Sequence, residues 1–414
     1  MRIDRAMMSI AAAFVVMAGL PLMAIAGNEV TIDGVVHVQN GAVPSQGVET
    51  LELEELWRVG GEDDDTVLGV VVHALTDDEG KVYLLDMQLS QVIVISPEGE
   101  MIGTLSRQGE GPGEVNRPSD MVTMPDGSLG LLQTFPGKLI KVNRDDTPAG
   151  EIVFGGDPTA GGIAVVIDVN YVGGNLVVAG IEVKQGETQA QQHRRSYLAS
   201  YGEDGVRKTV YWDKIQVLDF SNLKVREADQ YNIFPRRWDI STEGDVYAAV
   251  ARDEFVVNVY APDGTLKRVI EKEFTNRKRT TEEMEFYQQL VALQTRQLPG
   301  ADVQLSDTPE AIQSIDVWHD GTIWVTDSRG AFEQPEGIMA TYEVFSPEGH
   351  YLKSVQVECD ADGRDDGLIP VGRDRMILIR GLLPAIMGMQ TGGALASDDE
   401  EAAPMEVVCY QIKS

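Results

Sequence analysis

The sequence predicts an all-β fold, a six-bladed β-propeller of four-stranded antiparallel blades. The first observation is a strand-like run closed by a Pro/Asp-Gly turn. It reads Val-Ile-Ser-Pro-Glu-Gly-Glu at 94–100, Val-Tyr-Ala-Pro-Asp-Gly-Thr at 259–265 and Val-Phe-Ser-Pro-Glu-Gly-His at 344–350, with weaker copies at 141–147 and 200–206. The second is an interleaved motif, a Gly turn followed by an alternating strand, at 79–86, 126–133, 173–180, 243–250 and 320–327. Glycine supplies the positive φ that tight hairpin turns require, and β-branched or aromatic residues flank it. The third is the spacing. Two hairpin turns make four strands, and such units recurring along a chain mean radial repetition.

Taken in order, residues 1–26 read as a signal peptide outside the fold. Arg2 and Arg5 form a positive n-region, and Ile10 to Leu22 is an apolar run too short for a comfortable membrane span. Ala24-Ile25-Ala26 places small residues where a signal peptidase reads, so cleavage is expected near Ala26 and the mature chain in an extracytoplasmic space, periplasmic or secreted. No cysteine near the cut supports a lipid anchor. Residues 27–47 read as an N-terminal leader.

Inner-hairpin glycines fall at Gly80, Gly127, Gly174, Gly244 and Gly321, and outer turns at Gly99, Asp146, Gly205, Gly264 and Gly349. The separations are 19, 19, 31, 20 and 28 residues, so blades three and five carry longer middle hairpins holding Gln185–Arg195 and Gly330–Gly337. A sixth blade is read from Leu368–Val371, the turn Gly372-Arg373-Asp374, Met376–Arg380 and Met405–Lys413, after which no fourth strand follows. Val48–Val59 is a strand-like run with no blade of its own. An open edge invites unwanted pairing, so this run is expected to close the ring as the missing strand, with the propeller spanning 48–414.

An insert at 272–300, between blades four and five, contains the helix signals of Thr280–Gln297. Thr281 is placed to cap it, Glu282 and Glu283 favour the first turn, and Met284, Tyr287, Leu290, Val291 and Leu293 form an apolar face. Residues 394–404, within blade six, read as an acidic loop. Trp57, Trp238, Trp318 and Trp324 lie in strands or at blade junctions, and Trp324, flanked by Ile323 and Val325, is expected to be buried between blades.

The formal charge of −32 repels phosphate backbones and anionic lipid surfaces, which excludes nucleic acid as a partner and disfavours the membrane. Solubility accounts for the charge, and divalent cation binding is the sharper alternative. Cys359 and Cys409 are too few for a disulfide framework. A pair outside the cytoplasm can oxidise, and Cys409 in an apolar strand can equally stay a buried thiol. Spacing decides neither.

Arg107–Pro118 (RQGEGPGEVNRP) joins blade one to blade two. It resembles the Gly-x-Gly-Pro-Gly-Glu signature of bacterial six-bladed β-propeller proteins related to NHL repeats. That family also carries Phe-Ser-Pro-(Glu/Asp)-Gly, as at 345–349, and a helical insert like 280–297. The resemblance covers roughly 48–413. Blade two departs from the pattern, with Gln133 where Asp is usual and Asp146 where Gly is usual.

Six-bladed relatives include Ca²⁺-dependent lactonases, which implies a test of the channel-lining positions. Counting back seven residues from each inner glycine gives His73, Asp120, Ile167, Arg237 and Ser314, and counting back five gives Leu75, Val122, Val169, Asp239 and Asp316. Calcium wants six to eight oxygens from several blades. The metal candidates are Asp120, Asp168, Asp239 and Asp316, with Ca²⁺ the cofactor they would hold. They share no common register, and no blade offers the Asn ligands those lactonases use. His73, Asp120, Arg237, Asp239 and Asp316 are therefore expected as the polar lining of a ligand channel, with no catalytic residue among them. Neither a Gly-x-Ser-x-Gly elbow nor a His-Glu-x-x-His motif is present. Asp86 and Asp327 end inner hairpins, where turn capping suits them better than ligation.

The functional expectation is a monomeric, non-catalytic module that binds a protein, small molecule or carbohydrate. Its alternative is a divalent-metal hydrolase using the channel.

Overall fold

Every inner and outer turn named above is a turn in the computed structural model, and each tip residue has positive φ, from Gly80 (80°) to Gly349 (91°). At Asp146 the angle is 66°, a left-handed conformation that short polar side chains tolerate. Its carboxylate also accepts from Ser106 N–H in the preceding unit (2.7 Å), which a glycine could not do. The structure describes residues 27–62, 64, 66–154, 162–296, 298, 300–391 and 404–413. The signal-peptide reading of 1–26 and the acidic loop, except for residue 404, lie outside the described residues.

The chain opens with a hairpin, β1 (Asn28–Ile32) and β2 (Val35–Asn40), and a long strand, β3 (Val48–Gly60). Unit one is β4 (Val71–Thr76), β5 (Val82–Asp86), β6 (Gln91–Ile95) and β7 (Met101–Leu105). Unit two is β8 (Pro118–Thr123), β9 (Leu129–Gln133), β10 (Lys138–Val142) and β11 (Pro148–Val153). Unit three is β12 (Ile163–Val172), β13 (Asn175–Gln185), β14 (Gln191–Tyr201) and β15 (Arg207–Asp219), followed by the short β16 (Lys224–Arg226). Unit four is β17 (Trp238–Ile240), β18 (Val246–Ala249), β19 (Val256–Tyr260) and β20 (Leu266–Lys272). After it come α1 (Thr281–Gln294) and β21 (Asp302–Gln304), the latter parallel to β16. Unit five is β22 (Ile312–Val317), β23 (Ile323–Asp327), β24 (Ile338–Phe345) and β25 (Tyr351–Glu358), with α2 (Ser328–Phe332) before β24. Unit six is β26 (Gly367–Val371), β27 (Arg375–Arg380) and β28 (Glu406–Ile412), with α3 (Leu382–Thr391) after β27. Strands within a unit pair antiparallel in chain order.

The N-terminal segment ties three units together. β2 lies parallel on β20, with Val36 opposite Arg268. The start of β3 lies parallel on β25, with Val48 opposite Ser354. Its remainder, Leu53–Gly60, pairs antiparallel with β28 and supplies the strand that unit six lacks. The stretch read as a leader thus contains a hairpin. Asn40 anchors it between units four and five, donating to Glu271 O (3.0 Å) and Gly349 O (2.9 Å) and accepting from Tyr351 N–H (2.8 Å).

Alternation along each strand sends side chains to both neighbouring units. On β5, Val82 and Leu84 pack toward unit six while Tyr83 and Leu85 pack toward unit two. On β27, Ile377 and Ile379 face unit one while Met376 and Leu378 face unit five. Six hydrophobic clusters result. Each joins consecutive units, and one joins unit six back to unit one through Val71, Ile377, Val407 and Trp57. Trp324 lies in the cluster between units five and six, stacked on Trp318 at 4.6 Å. Cys409 and Cys359 are buried free thiols in different clusters.

The α1 helix is capped one residue earlier than expected, by Thr280 rather than Thr281. Thr280 accepts from Glu283 N–H (3.2 Å) and the Glu283 carboxylate accepts from Thr280 N–H (2.7 Å). This reciprocal box requires an acid three residues after the cap, which Thr280 has. The connections after second strands and after fourth strands share one end of the assembly. That end receives α1, α2, α3, the long β13–β14 hairpin and the Gly-Pro-Gly-Glu segment, while among the described residues the hairpins within units turn tightly at the other end.

If β3 closes the assembly, its core side chain should matter and its outward one should not. Trp57 is 6% exposed against Gly99, whereas Leu56 is 41% exposed. In denaturant titrations Trp57→Ala should lose about 3–5 kcal/mol, and Leu56→Ala less than about 1 kcal/mol. Equal losses would contradict the closure.

Candidate functional site

The first strands of units one, two, three and five carry a register irregularity, at the start of the strand in units one, two and five and midway along β12 in unit three. It falls between Val71 and His73, Pro118 and Asp120, Val166 and Asp168, and Ile312 and Ser314. An extra residue there re-aims the next side chain. His73, Asp120 and Asp168 emerge just after it, and each reaches across to a neighbouring unit.

His73 Nδ1 lies 2.9 Å from Asp120 Oδ1, joining units one and two. Asp120 accepts from its own neighbour Met121 N–H (2.8 Å) and, across the next junction, from Val169 N–H (2.8 Å). Asp168 accepts from Trp238 Nε1–H of unit four (2.9 Å). Asp239 repeats the pattern of Asp120. It accepts from Ile240 N–H (2.8 Å), Val317 N–H of unit five (2.7 Å) and Asn170 Nδ2–H of unit three (2.7 Å). The Arg236 guanidinium donates to Leu368 O of unit six (3.2 and 3.3 Å) and lies 3.5 Å from Asp316 of unit five. The polar lining is a belt of ties between first strands. Inner-strand amides such as Val169 and Val317, which have no further strand to pair with, find their acceptors in it.

The charges are distributed to suit. Burial pushes the Asp120 carboxyl up, but the His73 charge and hydrogen bond, with Asp168 and the Val169 amide, outweigh it and hold it below the usual range. Burial, and then the Asp120 charge, push Asp168 well above that range, so Asp168 keeps the proton the pair shares. Burial, reinforced by the Asp316 charge and opposed by the Val317 amide, raises Asp239 to about 7. Asp316 is also raised by burial, with Arg236 opposing.

Among the described residues no group of three or more His, Cys, Asp or Glu is placed to hold a metal ion. Of the four carboxylates read as metal candidates, Asp120 and Asp168 share a hydrogen bond, Asp239 is turned to N–H donors, and Asp316 faces Arg236 and the Ser314 hydroxyl, so no three of them group as a metal site. Arg237 is also not where the count placed it. It donates to Ile312 O (2.9 Å), pairs with Glu310 (3.5 Å) and lies over Tyr231, while Arg236 makes the contact to Asp316. Asp168 takes the place counted for Ile167, because unit three's inner hairpin is a shorter Gly173-Gly174 turn. The same offset hid Asn170, which stands beside Asp239. Gln133 does the work of the missing Asp, accepting from Asn116 N–H (3.0 Å) as Asp86 accepts from Gly69 N–H (2.7 Å).

Beside Arg236 a cavity of about 160 Å³ opens between units five and six, lined by Gln313, Ser314, Thr326, Tyr342 and Leu368. The Gly-Pro-Gly-Glu segment is a self-bonded turn. Glu114 accepts from Gly111 N–H (2.9 Å) and pairs with Arg107 (2.7 Å), and Ser106 donates to Gly113 O (2.7 Å).

No family model matches the chain, and no curated protein does. Solved structures with similar folds include a member of the DUF4221 family from Bacteroides vulgatus, 11% identical, covering 88% of this chain and 99% of that one at a TM-score of 0.46. Another is the calcium-binding protein regucalcin from Agrobacterium tumefaciens, 10% identical over 89% and 97% of the chains with a TM-score of 0.44. A gluconolactonase from Xanthomonas campestris is 10% identical over 87% and 99% with a TM-score of 0.41. Likeness this distant carries no inference about ligand or activity.

The raised carboxyls set a pH dependence. Asp239 holds its proton up to about pH 7 when folded, against about 4 when unfolded. Folding therefore takes up a proton in that window, and the stability it confers is full below about pH 4 and gone above pH 7. Asp168 and Asp316 act in the same sense, and Asp120 in the opposite sense only in acid. Thermal melts from about pH 5 to 8 should show the wild type losing stability with a steeper slope than Asp239→Asn. Parallel slopes would contradict the assignment.

Proposed function

We propose that the chain is an exported six-bladed β-propeller, related to NHL-repeat propellers, that acts as a non-catalytic binding module. One observation carries the reading. The carboxylates around the axis are bonded between units, while the insertions gather at one end around a mouth bearing Arg236, Gln313 and Tyr342. Insertions at one end of a rigid scaffold are where binding surfaces are built. Spending carboxylates on inter-unit ties leaves few oxygens for a cation, which weighs against the metal-hydrolase alternative. No helix among the described residues is long and apolar enough to cross a membrane, and an exported protein is consistent with that. The ligand is taken at the mouth and belongs to the protein, small-molecule or carbohydrate classes.

Calorimetry with Ca²⁺ and Mg²⁺ up to about 5 mM should give neither heat nor a rise in melting temperature, and a lactone panel should remain unhydrolysed. Ion-dependent stabilisation that disappears in Asp239→Ala with Asp316→Ala, accompanied by hydrolysis, would replace the binding reading with the hydrolase. A photoreactive residue at Gln313 should capture ligand that the same probe at Glu98, on the opposite end, does not. Equal capture at both positions counts against the mouth.

A further inference from the structure

A second cavity, of about 730 Å³, lies between units four and five, separated from the mouth by α2 and β24, whose alternate residues line the two. Three separate parts of the chain build it: Ala42 of the N-terminal segment, Lys272–Thr275 leaving β20, and unit five through Asp327, α2 and β24. Lys272 is nearly buried in its wall. Its Nζ is 3.3 Å from Asp327 Oδ2 and 3.2 Å from Glu343 Oε1, and it lies over the rings of Phe255 (4.8 Å) and Tyr351 (5.1 Å). Arg329 is taken by Glu333 at 2.6 Å, and among the described residues no cation pairs with Glu273. Four carboxylates therefore face two cations.

We propose that this second cavity binds a small organic cation bearing primary ammonium groups, of the diamine or polyamine type. The proposal is independent of the mouth. The excess negative charge rejects phosphates and carboxylic acids, and the chain's charge of −32 concentrates cations at its surface. A bare metal ion is not what the wall suits. Its carboxylates are spread over a cavity of metabolite size, and among the described residues none gather as a metal-ligating group. The acceptors are already oriented. Asp327 Oδ1 is held by Arg329 N–H (3.0 Å) and Gly330 N–H (2.8 Å), and Glu343 accepts from Ser354 Oγ–H (3.3 Å). Orientation before binding reduces the ordering cost a ligand must offset. Phe274, Ala42 and the methyl of Thr275 supply apolar surface for a methylene chain, and the Phe274 ring an attractive face for ammonium.

Titration calorimetry of the chain from residue 27 onward with putrescine and spermidine, and with 1,4-butanediol as the uncharged control, tests this. Saturable one-to-one binding of the amines and none of the diol is expected. Glu273→Gln and Glu333→Gln should each weaken amine affinity at least about tenfold, and Thr275→Trp, which fills the cavity without changing charge, should remove it. These positions are exposed, and melting curves establish that each variant folds. Glu98→Gln with Glu100→Gln, on the opposite end, should leave affinity unchanged. Absent amine binding, unchanged affinity in the cavity variants, an equal loss in the remote pair, or binding of a neutral sugar in place of the amine would each overturn the proposal.

Discussion

No four-stranded unit of this chain can bury its own surfaces, and every other feature depends on how that is resolved. Each unit has two apolar faces, because alternate residues on strands such as β5 and β27 point to opposite neighbours. Both faces are covered only when unit six meets unit one. Completion of unit six by β3 from the opposite end of the chain is therefore a condition of the whole fold. It joins the chain ends through strand pairing.

The same closure creates a problem at the axis. The innermost strand of each unit has one edge with no strand beside it, and its amides are shielded from bulk solvent. Unpaired buried amides are costly. Asp120 and Asp239 meet this cost, each accepting one amide from its own strand and one from the next unit. Carboxylates are strong acceptors, but several of them around one axis repel. The repulsion is relieved by His73, by Arg236 and by protons retained on Asp168 and Asp239. A set of acids that resembles a metal site in sequence is thus accounted for by backbone satisfaction.

What could be read in advance follows from how local each signal is. Turns were legible because positive φ selects Gly or Asp at the tip, as at Gly99 and Asp146. The strand closing unit six was legible because a run of strand character was left over. The β1–β2 hairpin was passed over although Asp33-Gly34 marks its turn, because its partner β20 is more than two hundred residues away and pairs with it in parallel. The axis was half legible. Counting from a glycine assumes equal hairpins, and the shorter Gly173-Gly174 turn displaced Asp168 and Asn170 by one place. At Arg236-Arg237 two identical side chains follow one another, and only backbone direction decides which meets Asp316. Arg236 has φ of 64° and does so.

The central claim is that the axial carboxylates hold neighbouring units together through backbone amides. Residue-resolved amide hydrogen exchange at Val169 and Val317 tests it most directly. Both amides should be strongly protected in the wild type. Asp120→Ala should release Val169 and leave Val317 protected, and Asp239→Ala should release Val317 and leave Val169 protected. Fast exchange of these amides in the wild type, or protection unaltered by either substitution, would contradict the account.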